Sequence, residues 1–169
     1  MLKNITKEDI ETVTRINQAG QPGVCPLSSS EIAQHQQNAT LFSVLVHNNE
    51  SAGYVIAYDN SKIYDGEEFN WFVKNANGSF LYIDQIAIDV THRASGLGSA
   101  IYAQLKEYAY HHQYKYLVCE VNLEPPNPVS MAFHQKNGFA QIGQLHVSDG
   151  RAVALMKMQV YELSISDSD

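Results

Sequence analysis

Arg93-Ala94-Ser95-Gly96-Leu97-Gly98 stands between the apolar run Leu81–Ile88 and a stretch from Gly98 to His111, around which Leu97, Ile101, Leu105 and Tyr108 recur at helical spacing. The apolar run reads as a β-strand, so the glycines mark the turn by which a strand enters a helix. The first N–H groups of a helix have no partner within it and lie at the positive end of its dipole. A glycine-bearing turn at that place lets the backbone approach an anion closely, and phosphate suits such a cradle. The spacing predicts a strand–turn–helix unit that takes an anionic, nucleotide-like ligand.

Within the strand, Tyr82, Asp84 and Ile86 share one face and Ile83, Gln85 and Ala87 the other. Upstream, Leu41–His47 and Ala52–Tyr58 are β-rich runs joined by the polar segment His47–Ser51, the pattern of a hairpin. Thr6 with Asp9 three residues on, before Ile10, Val13 and Ile16, predicts a capped first helix, and Ser28 with Glu31 predicts a second. Residues 61–79 mix aromatic and acidic residues without a clean period and read as a long loop. Downstream, Tyr116–Val121 is a strand expected to run parallel to Leu81–Ile88, because a helix connects the two. Asn127-Pro128 opens a helix that Asn137-Gly138 ends, and Ala140–His146 and Ala152–Gln159 flank a turn at Ser148-Asp149-Gly150. This order predicts a single α/β domain over residues 1–163, a mixed, mostly antiparallel sheet of six or seven strands with helices on both faces. Residues 164–169 read as a flexible acidic tail.

Composition bounds the function. The chain has 169 residues, 44% of them hydrophobic, enough for one buried domain. A formal charge of −7 argues against nucleic acid as the partner, since that affinity rests on dense Lys and Arg. Cys25 and Cys119 are the two cysteines and stand far apart, and no HxxxH or HExxH spacing occurs, so neither a disulfide framework nor a metal site is signalled. No stretch approaches the ~18 apolar residues of a membrane span, and the N-terminus lacks a secretory apolar region. A cytoplasmic protein without membrane partners is expected.

Other glycine motifs do not fit the turn. No Lys follows Gly98 as a P-loop requires, and Ile101 stands where a dinucleotide fingerprint needs a third small residue. The arrangement RxxGxG from Arg93 to Gly98 resembles the pyrophosphate-binding signature of the GNAT superfamily of acyl-CoA-dependent N-acetyltransferases. Residues 127–139, Asn127-Pro128-Val129-Ser130-Met131-Ala132-Phe133-His134-Gln135-Lys136-Asn137-Gly138-Phe139, resemble that family's NxxSxxFYxxxGF signature one strand later. With the order of elements, the resemblance covers nearly the whole chain, least of all the first forty residues and the 61–79 loop.

The resemblance implies that backbone N–H groups of Arg93, Ala94, Ser95, Gly96, Leu97, Gly98 and Ser99 hold the coenzyme A pyrophosphate. It implies a central split in the sheet, with pantetheine bonding to the backbone of Ile86 and Ile88 like an added strand, and an N–H near Ile86 or Ala87 polarising the thioester carbonyl. Asn127 would hydrogen-bond the coenzyme arm, a role compatible with helix capping, and Ser130 belongs to the same coenzyme-binding signature. Acetyl-CoA is then the cosubstrate, no metal is needed, and a homodimer is compatible with the family.

Acyl transfer to an amine needs a base, because an alkylammonium has a pKa near ~10, and an acid for the departing thiolate. Asp84, two residues before Ile86 on the same face, is the first candidate for base, with Tyr82 and Glu120 as alternatives and a substrate-ammonium anchor as its competing role. His134 stands where many members carry Tyr, and an imidazole can donate or accept a proton near neutrality. Packing, or hydrogen bonding to the coenzyme, is the competing role for His134. Asp65, Glu67 and Glu68 read as a solvated acidic loop, or as an attractor of cationic substrate. The expected reaction is direct acetyl transfer to a primary amine of a small molecule or peptide. The alternative is an acyl-CoA sensor that has lost acid–base chemistry, and a plain interaction module comes third.

Overall fold

The computed structural model describes residues 1–160, so the tail expected at 164–169 lies outside the described residues. The described residues form seven strands: β1 (Leu2–Asn4), β2 (Leu41–His47), β3 (Glu50–Asp59), β4 (Phe80–Ile88), β5 (Tyr116–Glu124), β6 (Ala140–His146) and β7 (Ala152–Gln159). Five helices accompany them among the described residues: α1 (Ile10–Gly20), α2 (Ser29–Asn38), α3 (Glu67–Asn75), α4 (Leu97–His111) and α5 (Pro128–Lys136). The chain divides into two compact units, one of Met1–Tyr64 with Tyr82–Gln104, the other of Asp65–Leu81 with the described residues from Leu105 onward.

In the first unit the strands lie in the order β1-β2-β3-β4. β2 and β3 are an antiparallel hairpin in which Leu41 faces Ala57 and His47 faces Glu50. Asn48 and Asn49 close it with φ of 50° and 63°, the left-handed pair whose twist matches that of the strands. β1, too short to announce itself, is held by a non-local partner, with Leu2 opposite Leu45. Both expected helix starts form. Asp9 accepts from the Thr6 N–H at 2.9 Å and hydroxyl at 2.7 Å, and Ser28 and Glu31 exchange bonds reciprocally at 2.8 and 3.3 Å. Val13 and Ile16 of α1 and Ile32 of α2 are buried, as are Val44, Val55 and Ile56 of the hairpin.

In the second unit the order is β5-β7-β6, both pairs antiparallel, with Tyr116 opposite Gln159 and Ala140 opposite Lys157. β7 lies between two strands and reads accordingly as a near-continuous apolar run. The segment expected as a loop contains α3. Phe69 and Phe72, three residues apart, are buried beside Phe80 with ring centroids 5.8 and 6.2 Å away. The half-buried Trp71 and exposed Val73 hide that short stripe from a periodicity reading. Its acids have structural partners. Glu67 accepts from the Ser148 N–H at 3.0 Å and from its hydroxyl at 2.6 Å, and buried Glu68 pairs with Arg151 at 3.0 Å. Trp71 lies so close over Gly143 that any β-carbon there would meet its ring. These contacts fasten α3 to the β6–β7 hairpin.

Candidate active site

The strand–turn–helix motif forms as the sequence predicts, and its turn lies in the first unit. Asp89 follows β4 and caps the short 3-10 turn Val90–His92, accepting from the Thr91 N–H at 3.0 Å and hydroxyl at 2.9 Å. Arg15 of α1 donates to the other Asp89 oxygen at 2.6 Å. The Thr91 N–H above all, then the Arg15 guanidinium, hold this buried carboxyl down at about 2 against the opposing effect of burial. The entry to the turn is thus anchored by an ionised carboxylate.

Beyond it, Ala94 and Gly96 adopt φ of 63° and 78°. Two left-handed residues in three bend the chain sharply into α4, whose first bond runs from the Ala100 N–H to the Gly96 carbonyl. Arg93, Ala94, Ser95, Gly96 and Ser99 are exposed, Gly98 is half-buried, and Leu97 is buried as the anchor of the turn. A β-carbon on Gly96 would meet no atom within 4 Å, so glycine serves conformation and open access there. Ser95 donates its hydroxyl to the His92 carbonyl, and Arg93 Nε reaches the Ile88 carbonyl at 3.4 Å. Exposed backbone at a helix N-terminus is what a phosphate ligand requires, so the residues present fit the coenzyme's pyrophosphate.

On β4, Asp84, Ile86 and Ile88 are half-buried, whereas Ile83, Gln85 and Ala87 on the opposite face are buried. Tyr64 donates its hydroxyl to Asp84 Oδ1 at 2.7 Å. The Tyr64 ring stacks on Tyr58 at 4.2 Å and lies 6.2 Å from that of Tyr82, and the Tyr58 hydroxyl is 2.7 Å from His35 Nδ1. Burial lowers the His35 pKa, with Asp84 and Glu31 opposing, and the same burial with Asp84 raises that of Tyr58. Both groups are therefore neutral beside the Asp84 carboxylate near pH 7. These partners come from α2, β3 and the connection before α3, and no spacing in the sequence pairs them with Asp84.

The buried face of β4 holds a polar network. The Tyr54 hydroxyl donates to Gln85 Oε1 at 2.8 Å, while Asn17 Nδ2 donates to the Tyr54 oxygen and to the Cys25 carbonyl, each at 2.9 Å. Asn17 Oδ1 accepts from the Leu27 N–H at 3.0 Å. Burial pushes the Tyr54 hydroxyl up to about 12, so it stays a donor. The network fixes the α1–α2 connection behind β4, a role invisible in the sequence because Asn17 and Gln85 look like surface residues.

In the second unit, Asn127 caps α5 by accepting from the Ser130 N–H at 3.1 Å. His134 is buried, and its Nδ1 lies 2.7 Å from the Ser130 carbonyl and 3.3 Å from the Ser130 hydroxyl. The rings of Phe133 and Phe139 stand edge-on to it at 5.5 and 5.4 Å. Burial lowers the His134 pKa, partly offset by the Ser130 carbonyl. Asn127, Ser130 and His134 thus form one cluster, and Glu120 lies half-buried on β5. Among the described residues, no group of three His, Cys, Asp or Glu could hold a metal ion, and no helix is long and apolar enough to cross a membrane.

The family model of the acetyltransferase (GNAT) family matches residues 10–139. The fold is similar to that of the ribosomal-protein-S18-alanine N-acetyltransferase of Escherichia coli, at 17% identity and TM-score 0.72 over 100% of this chain and 99% of that one. It is similar also to the NatB acetyltransferase complex bound to CoA, at 16% identity and TM-score 0.73 over 95% and 99%. A spermidine N-acetyltransferase chimera from Vibrio cholerae and hSSAT matches at 17% identity and TM-score 0.66 over 95% and 94%. No curated protein matches the sequence.

Proposed function

The chain belongs to the GNAT family of acetyltransferases and is an acyltransferase; from that premise we propose that it transfers acetyl from acetyl-CoA directly to the primary amine of a small molecule or peptide. The observation that carries the reading is the exposed Arg93–Ser99 backbone, bent by Ala94 and Gly96 at the start of α4, following the strand that bears Asp84. Residues 1–163 act as one catalytic domain in this reading, supported by family likeness spanning both units and by solved structures matched over 95–100% of the chain.

Acetyl-CoA, when bound, supplies an activated acetyl thioester, whose C–S bond is exchanged for an N–C bond to the acceptor. The turn N–H groups bind its pyrophosphate, and the backbone of Ile86 and Ile88 aligns its arm. The N–H of Ile86 or Ala87 donates to the carbonyl oxygen as negative charge grows there. Asn127 has its side-chain oxygen committed to the Ser130 N–H, leaving its amide nitrogen as the donor chemically suited to the coenzyme arm. Asp84, oriented by Tyr64, accepts the proton that the ammonium must lose.

His134 takes the acid position under a constraint. A carbonyl cannot donate, so the Nδ1 facing the Ser130 carbonyl carries the proton, and neutral His134 bears its lone pair on Nε2. Donation to a thiolate then requires the imidazolium, which burial disfavours. The acid role is therefore confined to the low-pH side of the activity profile.

Calorimetric titration with acetyl-CoA, alongside thiol release over a panel of amines, tests the reading. Binding with amine-dependent release is expected. Absence of both overturns it.

A further inference from the structure

We infer that Gly53 of β3 is a positioning residue for coenzyme binding: the space it leaves fixes the direction in which the Ala87–Ile88 peptide of β4 presents its N–H. This rests on the acetyltransferase reading above, in which the backbone of Ile86 and Ile88 aligns the coenzyme arm. In the β2–β3 hairpin Leu45 faces Gly53 but Val46 faces Ser51, so Ala52 is an extra residue on β3. Such a bulge twists and bends the strand that carries it. On the side of β3 away from β2, the Ala52 carbonyl accepts from the Asp89 N–H at 2.8 Å, which ties the bulge to the residue that follows β4. Beside the bulge, a β-carbon on Gly53 would stand 2.6 Å from the Ala87 carbonyl oxygen and 3.4 Å from the Ile88 Cα, backbone atoms that no rotamer change can move aside. The φ of Gly53 lies outside the left-handed region, so glycine serves close approach there rather than conformation. The Ala87 carbonyl therefore points toward β3. The peptide is trans, with C=O and N–H on opposite sides, so the Ile88 N–H points away from β3, as a ligand bonding like an added strand requires. Ala52, Tyr54 and Ala87 are buried around the contact, so a methyl at position 53 is accommodated only by moving this peptide.

Calorimetric titration of the full chain with acetyl-CoA and with ADP, which carries a pyrophosphate but no pantetheine arm, tests this in Gly53→Ala and in Gly143→Ala. The second variant drives a methyl against the Trp71 ring, 2.5 Å away, a comparable steric insult within the other unit. A folded Gly53→Ala is expected to bind acetyl-CoA about tenfold more weakly than the parent, with its ADP affinity within about twofold of the parent's. Gly143→Ala should lower the melting temperature yet keep acetyl-CoA affinity within about twofold. Amide hydrogen exchange at Ile88 of the parent covers the case in which Gly53→Ala does not fold: acetyl-CoA should slow it and ADP should not. Parental acetyl-CoA affinity in a folded Gly53→Ala, an equal loss of ADP affinity, an equal loss in Gly143→Ala, or Ile88 exchange indifferent to acetyl-CoA overturns the inference while leaving the acetyltransferase reading standing. Failure of the parent to bind acetyl-CoA removes that reading, and the inference with it.

Discussion

His134 Nδ1 lies 2.7 Å from the carbonyl oxygen of Ser130, one helical turn back on α5, and this contact assigns the proton on the neutral ring to Nδ1. If the imidazolium is the acid, turnover declines as pH rises through the His134 pKa, which burial sets below the ordinary 6.5. His134→Phe should abolish that limb and lower kcat about 10- to 100-fold on its acidic side, with acetyl-CoA affinity preserved. A pH–rate profile that is unchanged in His134→Phe removes His134 from proton transfer.

The same depressed pKa has a stability consequence of determinate sign. The folded state binds fewer protons at His134 than the unfolded chain, so stability is intact above the unfolded value near 6.5 and is lost progressively as pH falls toward the folded pKa. Urea denaturation of the parent should show a falling unfolding free energy below about pH 6.5. His35 contributes in the same direction, so His134→Phe should shrink the slope without eliminating it.

Asp84→Asn keeps the shape of the side chain but cannot accept a proton from the acceptor. Its kcat/KM should fall about 10²- to 10⁴-fold, while calorimetry shows acetyl-CoA bound as before. A loss confined to acetyl-CoA affinity would assign Asp84 to coenzyme binding and remove it as the base.

Arg15 and Asp89 hold the phosphate turn from behind. Arg15→Met leaves the buried Asp89 carboxylate without its guanidinium partner, at a cost of about 2 kcal/mol of folding stability. The KM for acetyl-CoA should rise several-fold with little change in kcat. Thermal unfolding and steady-state kinetics measure the two effects separately.

Most of the fold was legible wherever the physics is local. The capping pairs Thr6–Asp9 and Ser28–Glu31 and the Asn127-Pro128 start each lie within a few residues, and each forms. Hairpin β2–β3 was legible from β-branched and aromatic runs around a polar turn. α3 was not, because only Phe69 and Phe72 are fully buried in a helix of nine residues whose other apolar side chains face outward in part. β1 gives no signal of its own, because three residues carry no period and are held by a strand far along the chain, with Leu2 opposite Leu45.

The candidate site divides in the same way. The turn and α5 motif are contiguous and could be read directly, and the open conformation at Gly96 follows from its glycine. The surroundings of Asp84 could not be read, because Tyr64 and His35 reach it from 20 and 49 residues away through tertiary packing alone. Arg15, 74 residues from Asp89, was equally silent.

Gly96→Ala bears on the ligand cradle itself. At φ of 78° alanine is strained by about 1 kcal/mol although its methyl meets no neighbour, so the variant should fold with slightly reduced stability. Calorimetric titration of acetyl-CoA into the parent and into Gly96→Ala measures whether this exposed turn grips the coenzyme: saturable binding by the parent and at least about tenfold weaker binding by a folded Gly96→Ala are expected, whereas equal affinity in the two, or no binding by the parent, rules the turn out as the coenzyme's grip.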